Sequence, residues 1–95
     1  MGFLNRFLRK KDDESARVAR LLASGRITEG RVIDVTEDAE GNVTHVFYTY
    51  EVAGVDYESS QQLTSEQQSF RARYIPGARI TIRYDPRQPA NSIVV

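Results

Sequence analysis

The sequence predicts a mostly β (α+β) protein, an N-terminal helix followed by a five-stranded, strongly curved antiparallel sheet or small partly open barrel. Three observations predict it. Apolar residues recur at helical spacing as far as Leu22 and at every second position from Ile27 onward. Turn residues such as Gly41-Asn42, Ala53-Gly54 and Pro76-Gly77 cut the second part into short alternating runs. Five runs of that length are too few for a wide two-sheet sandwich.

The first element is Met1 to Lys11, where Phe3, Leu4, Phe7 and Leu8 stand at helical spacing with Arg6, Arg9, Lys10 and Lys11 around and after them. Residues 1–11 read as an amphipathic basic lead-in to a single helix-plus-barrel domain over residues 12–95. The Met-Gly start does not make a myristoylation signal, because that motif wants Ser or Thr where Arg6 stands. Asp12 or Asp13 is expected to cap a helix over about residues 13–24, with Arg17 and Arg20 suiting its dipole. Val18, Leu21 and Leu22 form one apolar stripe for helix packing or for a homodimer, and Gly25 stands where a C-terminal cap belongs.

Strands then follow in order. Ile27 to Glu37 is expected to put Ile33 and Val35 on one face and Val32 and Asp34 on the other. After the turn chemistry of Asp38 to Asn42, Val43 to Ala53 alternates clearly. Val46, Tyr48, Tyr50 and Val52 share one face, with His45, Phe47, Thr49 and Glu51 on the other. Ala53-Gly54 reverses the chain into Val55 to Leu63, completing a three-stranded meander. Thr64 to Gln68 reads as a cap opening a short helix that ends near Tyr74. Arg79 to Asp85 turns Ile80, Ile82 and Tyr84 inward, and Pro86 and Pro89 bracket an extended loop before a last strand, Ser92 to Val95.

With 95 residues and a formal net charge of zero, the chain is one domain with one modest core. The charge is segregated. Eight bases face four acids as far as Arg31, eight acids stand with no Lys or Arg between Val32 and Phe70, and five arginines oppose only Asp85 afterwards. A fold that brings the ends beside the middle neutralises itself, and the overall basic excess usual for polynucleotide binding is absent. The chain holds no cysteine, so neither a disulfide framework nor a cysteine-based metal site is available. No signal-peptide core and no run near the roughly 20 apolar residues of a membrane span is present, which makes the cytoplasm the expected address.

One pattern is more specific. Leu21-Leu22-x-x-Gly25, Gly30-x-Val32, Tyr48-x-Tyr50-x-Val52-x-Gly54-x-x-Tyr57 and Pro76-Gly77-x-x-Ile80-x-Ile82-x-Tyr84-Asp85-Pro86-x-x-Pro89 follow one another over roughly residues 21–95. Together they resemble the bacterial domain of unknown function three-five-nine-two and its soluble relatives. The Tyr-Asp-Pro ending is the most specific part. The resemblance implies a fold and brings no activity, and relatives often carry this β domain beside transmembrane helices. Pro86 is expected to hold Asp85 extended and to stop the strand, with Tyr84 plugging the inner face.

Candidate sites are few. His45 stands alone, without a nucleophile or orienting group at a recognisable spacing. Asp38-x-Glu40-Gly41-Asn42 looks like a calcium loop, but Gly41 comes too early and Thr49 stands where the bidentate Glu belongs, so a hairpin turn explains it. Asn42-Val43-Thr44 has the form of a glycosylation sequon without a secretory context. Asp56 and Glu58 are expected to pair with Arg79 or Arg83 in a surface ion-pair ladder rather than to act as two catalytic carboxylates. Phe47 is the outward aromatic of its strand. Beside Arg31, Arg79 or Arg83 it would stack a nucleic-acid base, but the N-terminal helix is expected to cover it.

The reading is therefore a non-enzymatic accessory or interaction module with no cofactor and no metal. Its partner is expected to be a protein or a second copy. The lead-in is expected to contact either a protein partner or, peripherally, the inner face of an anionic membrane. There Phe3, Leu4, Phe7 and Leu8 would yield about 1.5–3 kcal/mol each on full burial and less on partial insertion, and Arg6, Arg9, Lys10 and Lys11 about 1 kcal/mol each. The alternative is a small β-barrel binding single-stranded nucleic acid through Phe47, Arg79 and Arg83.

Overall fold

A computed structural model describes the backbone of residues 2–95 and the side chains of residues 13–95. The side chains of the lead-in, Phe3 to Lys11, lie outside the described residues. Helix α1 spans Gly2–Ser24 without interruption. Asp13 therefore lies inside α1 and does not open it, which corrects the expected cap. The helix ends at Gly25, whose amide donates to the Leu21 carbonyl at 2.9 Å. A Cβ on Gly25 would come within 2.5 Å of that carbonyl oxygen, so the close joint between helix and sheet requires glycine.

Five strands follow: β1 (Arg26–Glu37), β2 (Val43–Val52), β3 (Val55–Gln62), β4 (Arg79–Asp85) and β5 (Gln88–Val94). The single turn α2 (Ser65–Gln68) and a 3-10 turn (Arg71–Tyr74) cross from β3 to β4. All pairings are antiparallel, in the order β3-β2-β1-β4-β5. The sheet curves until its two edges, β3 and β5, lie side by side, so the result is a nearly closed barrel.

The inward face follows the alternation of β2 and β4. Val46, Tyr48, Tyr50, Ile80 and Ile82 are buried, joined by Leu63, Tyr74 and Val94. Tyrosines occupy the middle of the core. Tyr50 stacks between Tyr48 and Tyr57, with ring centroids 5.8 and 5.6 Å away. Their hydroxyls reach across to β5: Tyr50 donates to the Pro89 carbonyl at 2.6 Å, and Tyr48 shares a 2.8 Å bond with Ser92 Oγ. These bonds allow bulky polar rings to fill a core that aliphatic side chains would otherwise have to fill. Burial also raises the Tyr50 and Tyr74 hydroxyl pKa values above the ordinary value. Gly30 on β1 lies beneath this layer, where a Cβ would come within 2.8 Å of the Thr49 carbonyl oxygen and 2.9 Å of Ile82.

Two expectations about β1 and β5 are corrected. A bulge between Val32 and Asp34 places Ile33 outside the pairing, so Val32 opposes Tyr48 and Val35 opposes Val46 on the same inner face. Val32 is buried and Ile33 exposed, the reverse of a straight alternation. Likewise, no extended loop separates Pro86 from Pro89. β5 pairs from Gln88, directly across from Asp85, and Asp85 Oδ1 accepts the Arg87 amide at 2.8 Å to close a tight turn. The Tyr84-Asp85-Pro86 ending is thus a hairpin turn, with Tyr84 half-buried on the inner face.

Candidate functional site

The edges that meet at the seam are joined by side chains instead of backbone. Gln61 on β3 accepts the Val94 amide at 2.8 Å through Oε1 and donates to the Val94 carbonyl at 3.2 Å through Nε2. Its carboxamide thus stands where a neighbouring strand would offer a peptide group. Gln67 adds a second bond to the Val94 carbonyl at 3.1 Å. The same side chain accepts the Thr64 amide at 3.0 Å, while Thr64 Oγ1 accepts the Gln67 amide, so one capping box both starts α2 and ties it to β5.

Helix α1 is fixed to the other side of β5 by Arg17. Its Nη1 donates to Asn91 Oδ1 at 2.8 Å and to the Ser92 carbonyl at 3.1 Å. Its remaining donors hold Glu14 at 2.7 and 3.0 Å. The Arg17 guanidinium keeps the Glu14 carboxyl below its ordinary value, mainly through this hydrogen bonding. Free donors and acceptors on β5, which would otherwise invite another strand, are thereby capped within the chain.

Between α1 and the β3–α2 side, above β5, runs a groove of about 790 Å³. Val18 and Leu22 form its helical wall, Phe70 and Tyr74 the opposite wall, and Val94 and Val95 part of its floor. Leu22, Phe70 and Val95 remain 49%, 47% and 42% exposed, which in so small a protein marks a surface suited to an apolar occupant. Arg73 lies over the Phe70 ring at 4.6 Å from its centroid. Of the stripe Val18, Leu21 and Leu22, the barrel takes up Leu21, only 3% exposed, and Val18 and Leu22 line the groove.

The other candidate residues do not converge. Phe47 is 41% exposed, because α1 packs on β4 and β5 and leaves β2 uncovered. The expectation that the helix covers Phe47 is corrected. In register, Phe47 faces Asp34 and Ser60, while Arg79 lies opposite Arg31 on the next strand pair. Arg83 is engaged elsewhere, donating to the Gly25 carbonyl at 3.1 Å beneath the end of α1. The predicted ladder from Asp56 and Glu58 to Arg79 or Arg83 does not form either, since β3 is separated from β4 by β2 and β1. Arg79 instead lies 3.7 Å from Glu29. His45 Nδ1 lies 3.0 Å from Thr44 Oγ1. Asp38 Oδ1 accepts the amides of Glu40 and Asn42, so the acidic loop is a hydrogen-bonded turn whose carboxyl is held below its ordinary value, chiefly by the Asn42 amide.

Among the described residues no group of acids and histidine is placed to hold a metal ion, and no helix is long and apolar enough to cross a membrane. Sequence reasoning missed Gln61, Arg17 and Phe70 as parts of the site. The Val18–Leu22 stripe and the Thr64–Gln67 spacing signalled members of it in advance. No curated protein and no solved structure matches the chain. Residues 23–95 match the family described as Domain of unknown function (DUF3592), a span that takes in the whole barrel and only the last two residues of α1. With most of its length matched and the barrel entire, the chain belongs to the DUF3592 family.

Proposed function

We propose that this chain is a non-enzymatic interaction module that binds an apolar helical segment of a protein in the groove between α1 and the barrel seam. The observation that carries this reading is the half-exposed Leu22, Phe70 and Val95 gathered on one groove of about 790 Å³. A concave site with apolar walls on two sides suits the apolar face of a helix better than a flat lipid surface. The polar groups around it support binding over chemistry: Gln61, Gln67 and Arg17 are each engaged by partners within the chain. None of them is left free to act as an acid, a base or a nucleophile.

The test is site-directed photo-cross-linking in cells, with the reactive side chain at Phe70 and, as control, at Ala39 in the distant β1–β2 turn. Adducts to protein confined to the Phe70 position, and lost when Leu22→Glu is added, are the expected result. Equal labelling at both positions, or none at either, would overturn it. Flotation of the full chain with anionic vesicles, released by salt and unchanged by Leu22→Glu, would transfer the role to the basic lead-in and make the protein peripheral on a membrane.

A further inference from the structure

We propose that the open edge of β3 is a second binding surface, apart from the groove, which takes an extended, basic segment of a protein as an added strand. The support begins with a contrast between the two edges of the sheet. On β5 the outward groups are bonded within the chain. The Pro89 carbonyl accepts the Tyr50 hydroxyl at 2.6 Å and the Ser92 carbonyl accepts Arg17 at 3.1 Å, while Gln61 holds both the amide and the carbonyl of Val94. The edge of β3 has no such caps over most of its length.

The register shows which groups are left. The two-residue turn at Ala53-Gly54 makes Val52 and Val55 a hydrogen-bonded pair, so Tyr50–Tyr57, Tyr48–Ser59 and Val46–Gln61 bond in the same way. The Leu63 amide, which donates to the Thr44 carbonyl at 2.8 Å, keeps that phase. The amides and carbonyls of Asp56, Glu58 and Ser60 therefore point away from β2. None of them has a hydrogen-bond partner among the described residues, and the bridge to β5 is made only at Gln61. The usual devices that blunt an edge are missing as well. β3 has no proline and no lysine, and its pairing with β2 runs from Val55 to Gln62 without a bulge.

Charge selects the occupant. Asp56 and Glu58 are exposed on the outer face, with Glu51 directly opposite Asp56 on β2. None of these three carboxylates has an ion-pair partner among the described residues, and no Lys or Arg occurs between Val32 and Phe70. A strand laid along β3 places the residues opposite Asp56 and Glu58 on that same face, about 5 Å away and two positions apart. Lys or Arg at alternate positions fits there. Two copies of β3 paired along this stretch would set carboxylate beside carboxylate, which disfavours a second copy. Backbone bonds supply the hold and the acids supply the choice, as in other recognition by strand addition.

The test titrates the full chain at low salt with a capped hexapeptide alternating lysine and threonine, and with its counterpart carrying glutamate for lysine. Binding is read from amide resonances and amide hydrogen exchange. Only the lysine peptide should bind. Exchange at Asp56, Glu58 and Ser60 should slow, while Tyr57 and Ser59, already bonded to β2, stay as they were. Asp56→Lys combined with Glu58→Lys should weaken the lysine peptide on the order of tenfold and admit the glutamate peptide. Leu22→Glu should leave binding unchanged, which keeps the edge distinct from the groove. Four results would each overturn the proposal: no binding at low salt, equal binding of both peptides, unaltered exchange at the three edge amides, or loss of binding with Leu22→Glu.

Discussion

Helix α1 and the barrel use their apolar residues differently. In the barrel the alternating positions of β2 and β4 all point into one core, where Val46, Tyr48 and Ile82 have no exposed surface. On the described part of α1 only Leu21 is buried, and its neighbour Leu22 is half exposed. The barrel thus fills its own core, while the described part of the helix adds only Leu21 to it and leaves Leu22 along the groove. The family match follows the same division, since it begins at Ala23 and takes in the barrel. The difference separates the residues that close the core from those left half exposed along the groove.

The largest expected effect lies on the barrel side. Ile82→Ala, at a fully buried position, should lower stability by about 2–5 kcal/mol in urea unfolding, whereas Leu22→Ala should cost less than about 1 kcal/mol. Equal losses would break the contrast between the two regions. Next comes the seam. Gln61→Ala leaves the Val94 amide and carbonyl without their bonds to Gln61, and should cost about 1–3 kcal/mol. Amide hydrogen exchange at Val94 should accelerate with it, and a Val94 amide as protected as before would mean that the seam is closed by something else.

A smaller effect, of opposite sign, is expected at the β2–β3 turn. Ala53 and Gly54 both have positive φ, 52° and 81°, the geometry of a two-residue hairpin turn that favours Asn before Gly. Ala53→Asn should stabilise the barrel by roughly 0.5–1 kcal/mol, read as a higher urea midpoint. The smallest effect concerns the Asp38 turn. Its carboxyl pKa is lower folded than unfolded, so the stabilisation is present above the ordinary value of 3.8 and is lost as pH falls through the folded value. Asp38→Ala should flatten the acid limb of the stability profile without moving the neutral region of the remaining dependence. An unchanged acid limb would show that the turn bonds do not couple to folding.

Most of the barrel was legible because its signals are local. The alternation of Val46, Tyr48, Tyr50 and Val52 allows one register of inside and outside, and Ala53-Gly54 leaves room for a two-residue turn only. The Thr64–Gln67 capping box is a contact between residues three apart, so it too is written in the order of residues. The bulge at Ile33 was not legible. Ile33 is as apolar as Val32, and only the pairing of β1 with β2 selects which of them is passed over. The groove was illegible for a related reason, since its walls come from α1, the 3-10 region and β5, which are far apart along the chain.

By itself, then, the sequence determined the helix, the strands, the turns that join them and the curved antiparallel sheet, because periodicity and turn chemistry act over a few residues. Tertiary structure alone decided where that helix lies. Gln61 joins β5 to β3, Arg17 bonds Asn91 and the Ser92 carbonyl, and α1 lies on β4 and β5 rather than over Phe47. That choice leaves Val18 and Leu22 along an open groove, because hydrogen bonds between residues more than seventy positions apart position the helix, and no local pattern records them.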